Sequence, residues 1–315
     1  RRKHFCQKSL VMKKAFTMLE LVMVMVIMGI VASIGAEIIA SMYSNYLRSR
    51  TINRLESQTE ITLEQIAKRL QYRIKESVIT RNNLGNPLSL SDSSIAAGGT
   101  FNVLEWIGAS NESFLGTPRP GWSGFIDLDS NDTNRNAVPR PTLKTSESNL
   151  TDAISTISAL TNGNITLTAT NEAALVFKGM AYSVADFGWG NPNNFDGTAT
   201  IKVRTGASID ILEISNDANP PTEITEQYTL AHTAYAIVPS ATNSTDFNLT
   251  LYYNYQPWLG RNYNAHGKPS VLAEHVSLFR FRQDESILRL KLCLHDANQT
   301  GVGDLIVVCK EKVVY

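Results

Sequence analysis

The sequence predicts an α+β chain: a long N-terminal membrane-spanning helix that continues as an amphipathic stalk and packs on a mostly antiparallel β-sheet head. Three observations lead there. Residues 21–36 read LVMVMVIMGIVASIGA without a charge, apolar residues then recur at spacings of three and four as far as Val78, and from Ile165 onward short β-like apolar runs are separated by turn residues. With 315 residues, 43% hydrophobic and 18% charged, the chain can bury a real core and is not a disordered one. Its 29 Lys and Arg balance 29 Asp and Glu, so charge alone does not select nucleic acid as a partner.

The N-terminal element comes first. Six of the seven Met lie between Met12 and Met42, which marks a segment with a solvent of its own. Ile38, Ile39 and Ala40 extend the apolar run past the single acid Glu37. With its flanks the run reaches the roughly 20 residues that a helix needs to cross about 30 Å of hydrocarbon. A soluble helix would show a polar face, and none is visible here. Upstream stand Arg1, Arg2, Lys3, Lys8, Lys13 and Lys14, with no acid before Glu20. That asymmetry keeps the N-terminal flank in the cytoplasm and sends the C-terminal side outward. No small-residue cleavage site follows the run at the usual place, which argues against an ordinary secretory signal.

Directly before the run stands Lys13-Lys14-Ala15-Phe16-Thr17-Met18-Leu19-Glu20. Over about residues 12–45 the chain resembles the processing signal and helix of type IV pilins and type II secretion pseudopilins. The resemblance implies that a prepilin peptidase cuts between Ala15 and Phe16 on the cytoplasmic side and methylates the new Phe16 terminus. Ala15 stands where the family usually has Gly, and the Pro that the family often carries near Glu37 is absent. Met12-Lys13-Lys14-Ala15 makes a short leader, so residues 1–11 are expected to be an upstream extension of the reading frame. Glu20 carries the mechanism. An unpartnered carboxylate in a membrane helix costs about 2.5–3.5 kcal/mol, and the freed Phe16 α-amine, with a pKa of about 8, is its natural counter-ion. By resemblance, Glu20 of an incoming subunit neutralises Phe16 of its neighbour during assembly.

The implied protein is a structural subunit rather than an enzyme. Its partners would be the prepilin peptidase, other pilin or pseudopilin subunits, the inner-membrane assembly platform and the lipid bilayer, with the head in the periplasm. The rival reading is a membrane-anchored periplasmic binding module or adhesin that never joins a filament. Loss of residues 1–15 would leave 23 basic against 29 acidic residues, a net charge of −6, and no nucleic acid partner is expected.

Five segments follow in order: a leader at 1–15, a transmembrane and polymerisation helix at 16–41, an amphipathic periplasmic helix at 42–80, a loop-rich insert at 81–165 and a β head at 166–315. The stalk rests on Ile39, Met42, Tyr46, Leu63, Ile66, Leu70, Ile74 and Val78. Continuous from 16 to 79, it would span about 96 Å, although Ser57 with Glu60 offers a capping box that would restart it. The Asn, Gly and Pro at 82–87 end it. Strands are predicted near 165–170, 174–184, 198–205, 208–215, 228–238, 247–255, 276–281, 287–294 and 304–315. One sheet face would cover the apolar side of the stalk. Residues 271–294, with Leu272, Glu274, Val276, Leu278, Phe279 and Phe281, resemble the late strands of J-type pseudopilins and W-type minor pilins. K-type pseudopilins are similarly large but usually lack the acid found here at Glu20.

Of three Cys, Cys6 falls in the leader, which leaves Cys293 and Cys309 as an even pair in a compartment that permits disulfides. Pilins often pin the C-terminal region this way, and the chain-entropy treatment gives such a loop about 3 kcal/mol. The alternative for these Cys, a metal site with His295 and Asp296, needs further ligands. Asp127, Asp129 and Asn131 place oxygens at alternating positions, as calcium loops do. An EF-hand would want Gly at Asp132 and Glu at Val138, and a solvated acidic turn is the simpler reading. No other cofactor is expected. His232, His266 and His275 fall on strands or loops and make no catalytic constellation along the chain. Tyr252, Tyr253, Tyr255, Trp258 and Tyr263 form either a stacking surface or, more simply, core and edge packing.

Overall fold

The computed structural model describes residues 17–82, 85–90, 102–189, 200–215, 221, 223–240, 245–296 and 305–315. Helix α1, Met18–Gln71, starts from a capping box: the Thr17 hydroxyl accepts the Glu20 amide, and the Glu20 carboxylate accepts the Thr17 amide and hydroxyl. Its 54 residues run unbroken through Gly29, Gly35 and Ser57, a length of about 81 Å at 1.5 Å per residue. Nearly every residue up to Arg50 is exposed. Among the described residues, α1 is the one helix long and apolar enough to cross a membrane. Beyond that stretch the helix acquires a face. Leu55, Thr59, Thr62, Leu63, Ile66, Ala67 and Leu70 are buried, at spacings that keep them on one side.

Among the described residues, twelve strands make one antiparallel sheet. They are β1 Ile79–Arg81, β2 Leu88–Ser89, β3 Val103–Ala109, β4 Thr142–Lys144, β5 Ala173–Phe177, β6 Thr200–Thr205, β7 Ile211–Ile214, β8 Tyr228–Pro239, β9 Phe247–Tyr255, β10 Lys268–Asp284, β11 Ile287–His295 and β12 Val307–Val314. The order is β12-β11-β10-β9-β8-β5-β6-β7-β4, and β3 also pairs with β8 and carries β1, which carries β2. The α+β architecture predicted from sequence is therefore present.

Three apolar clusters fill it. The first joins Leu63, Ile66 and Leu70 of α1 to Trp106, Ile237, Leu249 and the inward row Leu288, Leu290, Leu292 of β11. The second packs helix Leu150–Thr161, through Leu150, Ala153 and Ile157, on Leu175, Ile201, Val203 and Leu212 of β5 to β7. The third, around Ile107, Val176, Phe187, Tyr255 and Trp258, lies between residues of β3, β5 and β9. Complete burial of each large side chain stabilises by about 1.5–3 kcal/mol, so the sheet rather than helix propensity holds the second half of α1.

Several boundaries differ from the sequence expectation, among them the strand expected at 174–184, which ends at Phe177, and the one expected at 276–281, which runs Lys268–Asp284. The stalk ends at Gln71 rather than near Ile79. Ile74 and Val78 are buried as the spacing predicts, but they reach the core from non-helical backbone, because the Ile74 amide bonds to Ile107 O and Ile79 pairs with Glu105. Arg73 locks this exit: its guanidinium donates to Leu70 O, Ser286 O and Tyr315 O. Residues 81–165 are not only loops, since they hold β3, β4 and the helix Leu150–Thr161. Residues 165–170 make no strand; Thr168 and Asn171 form only an isolated bridge. At the stalk exit and at β3, pairing with chain far away in sequence overrides local pattern.

Candidate functional site

The expected processing residues Ala15 and Phe16 lie outside the described residues. Glu20 lies in the first turn of α1, exposed, with its carboxylate turned back onto Thr17. The cap holds that carboxylate at the N-terminal end of the helix, where the macrodipole favours a negative charge.

Cys293 and Cys309 form a disulfide, with their Cα atoms 4.0 Å apart. They are directly opposed partners on β11 and β12, the two strands on which α1 chiefly rests. Across the same surface run surface ion pairs from α1: Lys310 to Glu56 at 3.3 Å and to Glu60 at 3.0 Å, and Lys312 to Glu64 at 2.7 Å. The Lys312 ammonium beside Glu64 holds its carboxyl below the usual range. These groups are solvent-exposed, and such pairs contribute little each.

Asp127, Asp129 and Asn131 sit in a loop before β4. One Asp127 oxygen accepts the Asp129 amide at 3.2 Å and the other accepts the Ser146 hydroxyl at 3.3 Å, while Asp127 O accepts Thr133 Oγ1 at 2.6 Å. These bonds close the turn on itself.

The four tyrosines and the tryptophan of the aromatic run divide. Tyr255, Trp258 and Tyr263 are buried in the core and Tyr253 is exposed. Tyr255 donates to Glu105 Oε2 at 2.7 Å, and Arg81 Nε lies 2.6 Å from Glu105 Oε1. Burial pushes the Glu105 carboxyl up to about 6 against the pull of Arg81 and Tyr255. Arg81, Glu105, Tyr255 and Trp189 line a cavity of about 240 Å³. Both charged groups of this pair answer each other within the fold, and Tyr255 completes the set.

The histidines, scattered along the chain, do not stay scattered in space. His232 is buried, with Nδ1 2.7 Å from Ser110 Oγ, and burial lowers it to about 4. His266 is exposed, and its Nδ1 accepts the Asn262 amide at 3.4 Å. His275 and His295, by contrast, converge on Asp246. His275 Nδ1 is 3.2 Å and His295 Nε2 is 3.2 Å from Asp246 Oδ1, with the imidazoles edge to face at 5.7 Å. Asp296, the neighbour proposed from sequence as a co-ligand of His295, instead pairs with Arg54 of α1 at 3.0 Å. The actual companions are 29 residues apart in sequence and no spacing rule links them. Alternation along β10 and β11 hinted only that each histidine was on a strand. Beside the trio a groove of about 540 Å³ opens between α1 and the sheet, lined by Arg54, Gln58, Thr62, Glu274, His275 and His295 among others.

Comparison with known proteins adds no relative: no family model matches the chain, and neither a curated protein nor a solved structure matches it at a significant level.

Proposed function

We propose that this chain is a minor pilin or pseudopilin: a single-pass inner-membrane precursor, cut between Ala15 and Phe16 by a prepilin peptidase and assembled through α1 into a pilus or pseudopilus, with a role at its tip or initiation. One observation carries the reading. From Met18 to Met42 the helix presents large apolar side chains to the outside on every side, while the same helix plunges its last turns into the head. Such a segment needs lipid before assembly and neighbouring helices after it, because every backbone polar group is satisfied within the helix while its side chains are not covered. Glu20 supports it from the other end: a lone acid at the start of an apolar helix is a recruitment charge if a partner amine is supplied in trans. The head is then the surface displayed in the periplasm, and the chain catalyses nothing.

The test is N-terminal mass spectrometry of the protein from membranes and from sheared surface filaments, with and without the peptidase. A methylated Phe16 terminus in the sheared fraction, dependent on the peptidase, is the expected result. An uncut terminus in the presence of active peptidase would overturn the reading and leave a membrane-anchored binding module or adhesin.

A further inference from the structure

The convergence of Asp246, His275 and His295 does not follow from a filament role, nor does the fold need it. We propose that these three side chains form a binding site for a divalent transition-metal ion of the zinc class, with a solvent position open toward the groove between α1 and β10.

The donor set is the first argument. Two imidazole nitrogens and one carboxylate suit zinc and its neighbours, and three protein ligands with an open fourth position is the arrangement of a zinc site that retains water. Spacing is the second. Ligands about 2.1 Å from a tetrahedral ion lie about 3.4 Å from one another. Here Asp246 Oδ1 is 3.2 Å from both nitrogens, and the three ligand atoms all lie within 4.8 Å of one another. An ion would draw the two nitrogens together by a modest rotation of the half-buried His275 ring.

The third argument is His295 itself. It is 8% exposed, and its Nε2 makes no hydrogen bond even though Asp246 Oδ1 is 3.2 Å away. Its other nitrogen, Nδ1, lies 3.4 Å from Asp296 O, the backbone acceptor that sets the tautomer of a metal-bound histidine. With the proton on Nδ1, the Nε2 lone pair faces a carboxylate oxygen, an arrangement that a cation between them relieves. Asp296 is in turn fastened to Arg54, so the outer support of the site reaches the membrane-proximal part of α1.

The backbone is shaped for the purpose. Val276 pairs with Phe247 on one side and Leu294 on the other, so the three ligands are the residues next to one row across β9, β10 and β11. The β9–β10 ladder slips twice, between Val271 and Ala273 and between Ala273 and Val276. His275 falls within the second slip with φ of 55°, a left-handed conformation that a non-glycine residue rarely adopts. The bulge aims its imidazole at Asp246 and His295 rather than along the regular pleat.

The experiment uses the full-length protein in detergent, purified without a polyhistidine tag and stripped with chelator, titrated with Zn²⁺ by calorimetry and with Co²⁺ by visible absorption. One ion per chain, with the absorption of four-coordinate Co²⁺, is expected. Asp246→Asn, at an exposed position, and His275→Asn, at a half-buried one where Asn tolerates the left-handed backbone, are each expected to weaken binding about tenfold or more; His266→Asn is expected to leave it unchanged. Absence of stoichiometric binding, or binding indifferent to Asp246→Asn and His275→Asn, would overturn the proposal. Assembly into filaments plays no part in the readout, so the outcome is independent of the functional reading above.

Discussion

The first and second halves of α1 belong to one unbroken helix, yet only the second is folded into the protein. Residues 18–50 are apolar nearly all round through the first two dozen positions and have no sheet beneath them. Residues 55–70 carry an apolar stripe that is buried, flanked by Glu56, Glu60 and Glu64, which reach Lys310 and Lys312 of β12. Helix formation and helix burial are thus separate events. Backbone hydrogen bonds make the rod in either setting, and the angular distribution of side chains decides whether it meets a sheet or a medium that surrounds it.

The contrast can be broken at several points. Under the proposed pilin function, Glu20→Val should have the largest effect: the variant is expected to remain in the membrane but to fall in sheared filaments by on the order of tenfold or more, because that proposal assigns recruitment to the Glu20 charge. Undiminished filament signal on quantitative immunoblots would remove Glu20 from the mechanism. Next, Leu70→Ala opens a cavity at a fully buried position and is expected to cost about 2–5 kcal/mol, read as a lowered thermal midpoint of the detergent-solubilised protein. Met25→Ala, in the uncovered half, is expected to shift head stability by less than about 0.5 kcal/mol; equal losses from the two would abolish the distinction between the halves.

Replacing both Cys293 and Cys309 by Ser frees the hairpin beneath the helix and is expected to cost about 3 kcal/mol, measured by denaturant unfolding against the oxidised parent. The smallest effect is expected from Lys312→Ala, which removes the pair to Glu64. A loss below about 1 kcal/mol that shrinks further in high salt is the prediction, and a loss several times larger would mean that charge rather than the Leu63, Ile66 and Leu70 stripe seats the helix.

Much of this was legible along the chain, for reasons that differ by element. The apolar run of α1 and most of the strands from β5 to β12 carry patterns of period 3.6 or 2 within a dozen residues, so local sequence suffices there, whereas the capping box lies at Thr17 and Glu20 rather than at the expected Ser57 and Glu60, and β10 runs well beyond the expected 276–281. β3 was not legible although VLEWIGA is largely apolar, because it lies in an Asn- and Ser-rich stretch and is a strand only by pairing with β8, more than a hundred residues on. The helix exit at Gln71 was missed for a related reason: Ile74 and Val78 fit a helix, and the strand pairing that claims the chain instead comes from β3. The disulfide partners could be paired by counting, whereas the His295 companions could not, since imidazoles and carboxylates have no chain-level arithmetic.

By itself the sequence determined that there is a long N-terminal helix, uncovered and apolar at first and one-faced later, that a β-rich region follows, and that Cys293 and Cys309 near the C-terminus are candidates for one bridge. These are consequences of periodicity and composition, which act between near neighbours. The tertiary structure alone decided where the helix leaves its axis, that the supposed insert supplies β2, β3 and β4 to the sheet, and that Asp246, His275 and His295 share one corner beside α1. Each of those depends on strand register and on a bulge, which align residues far apart in the chain and leave no trace in the local pattern.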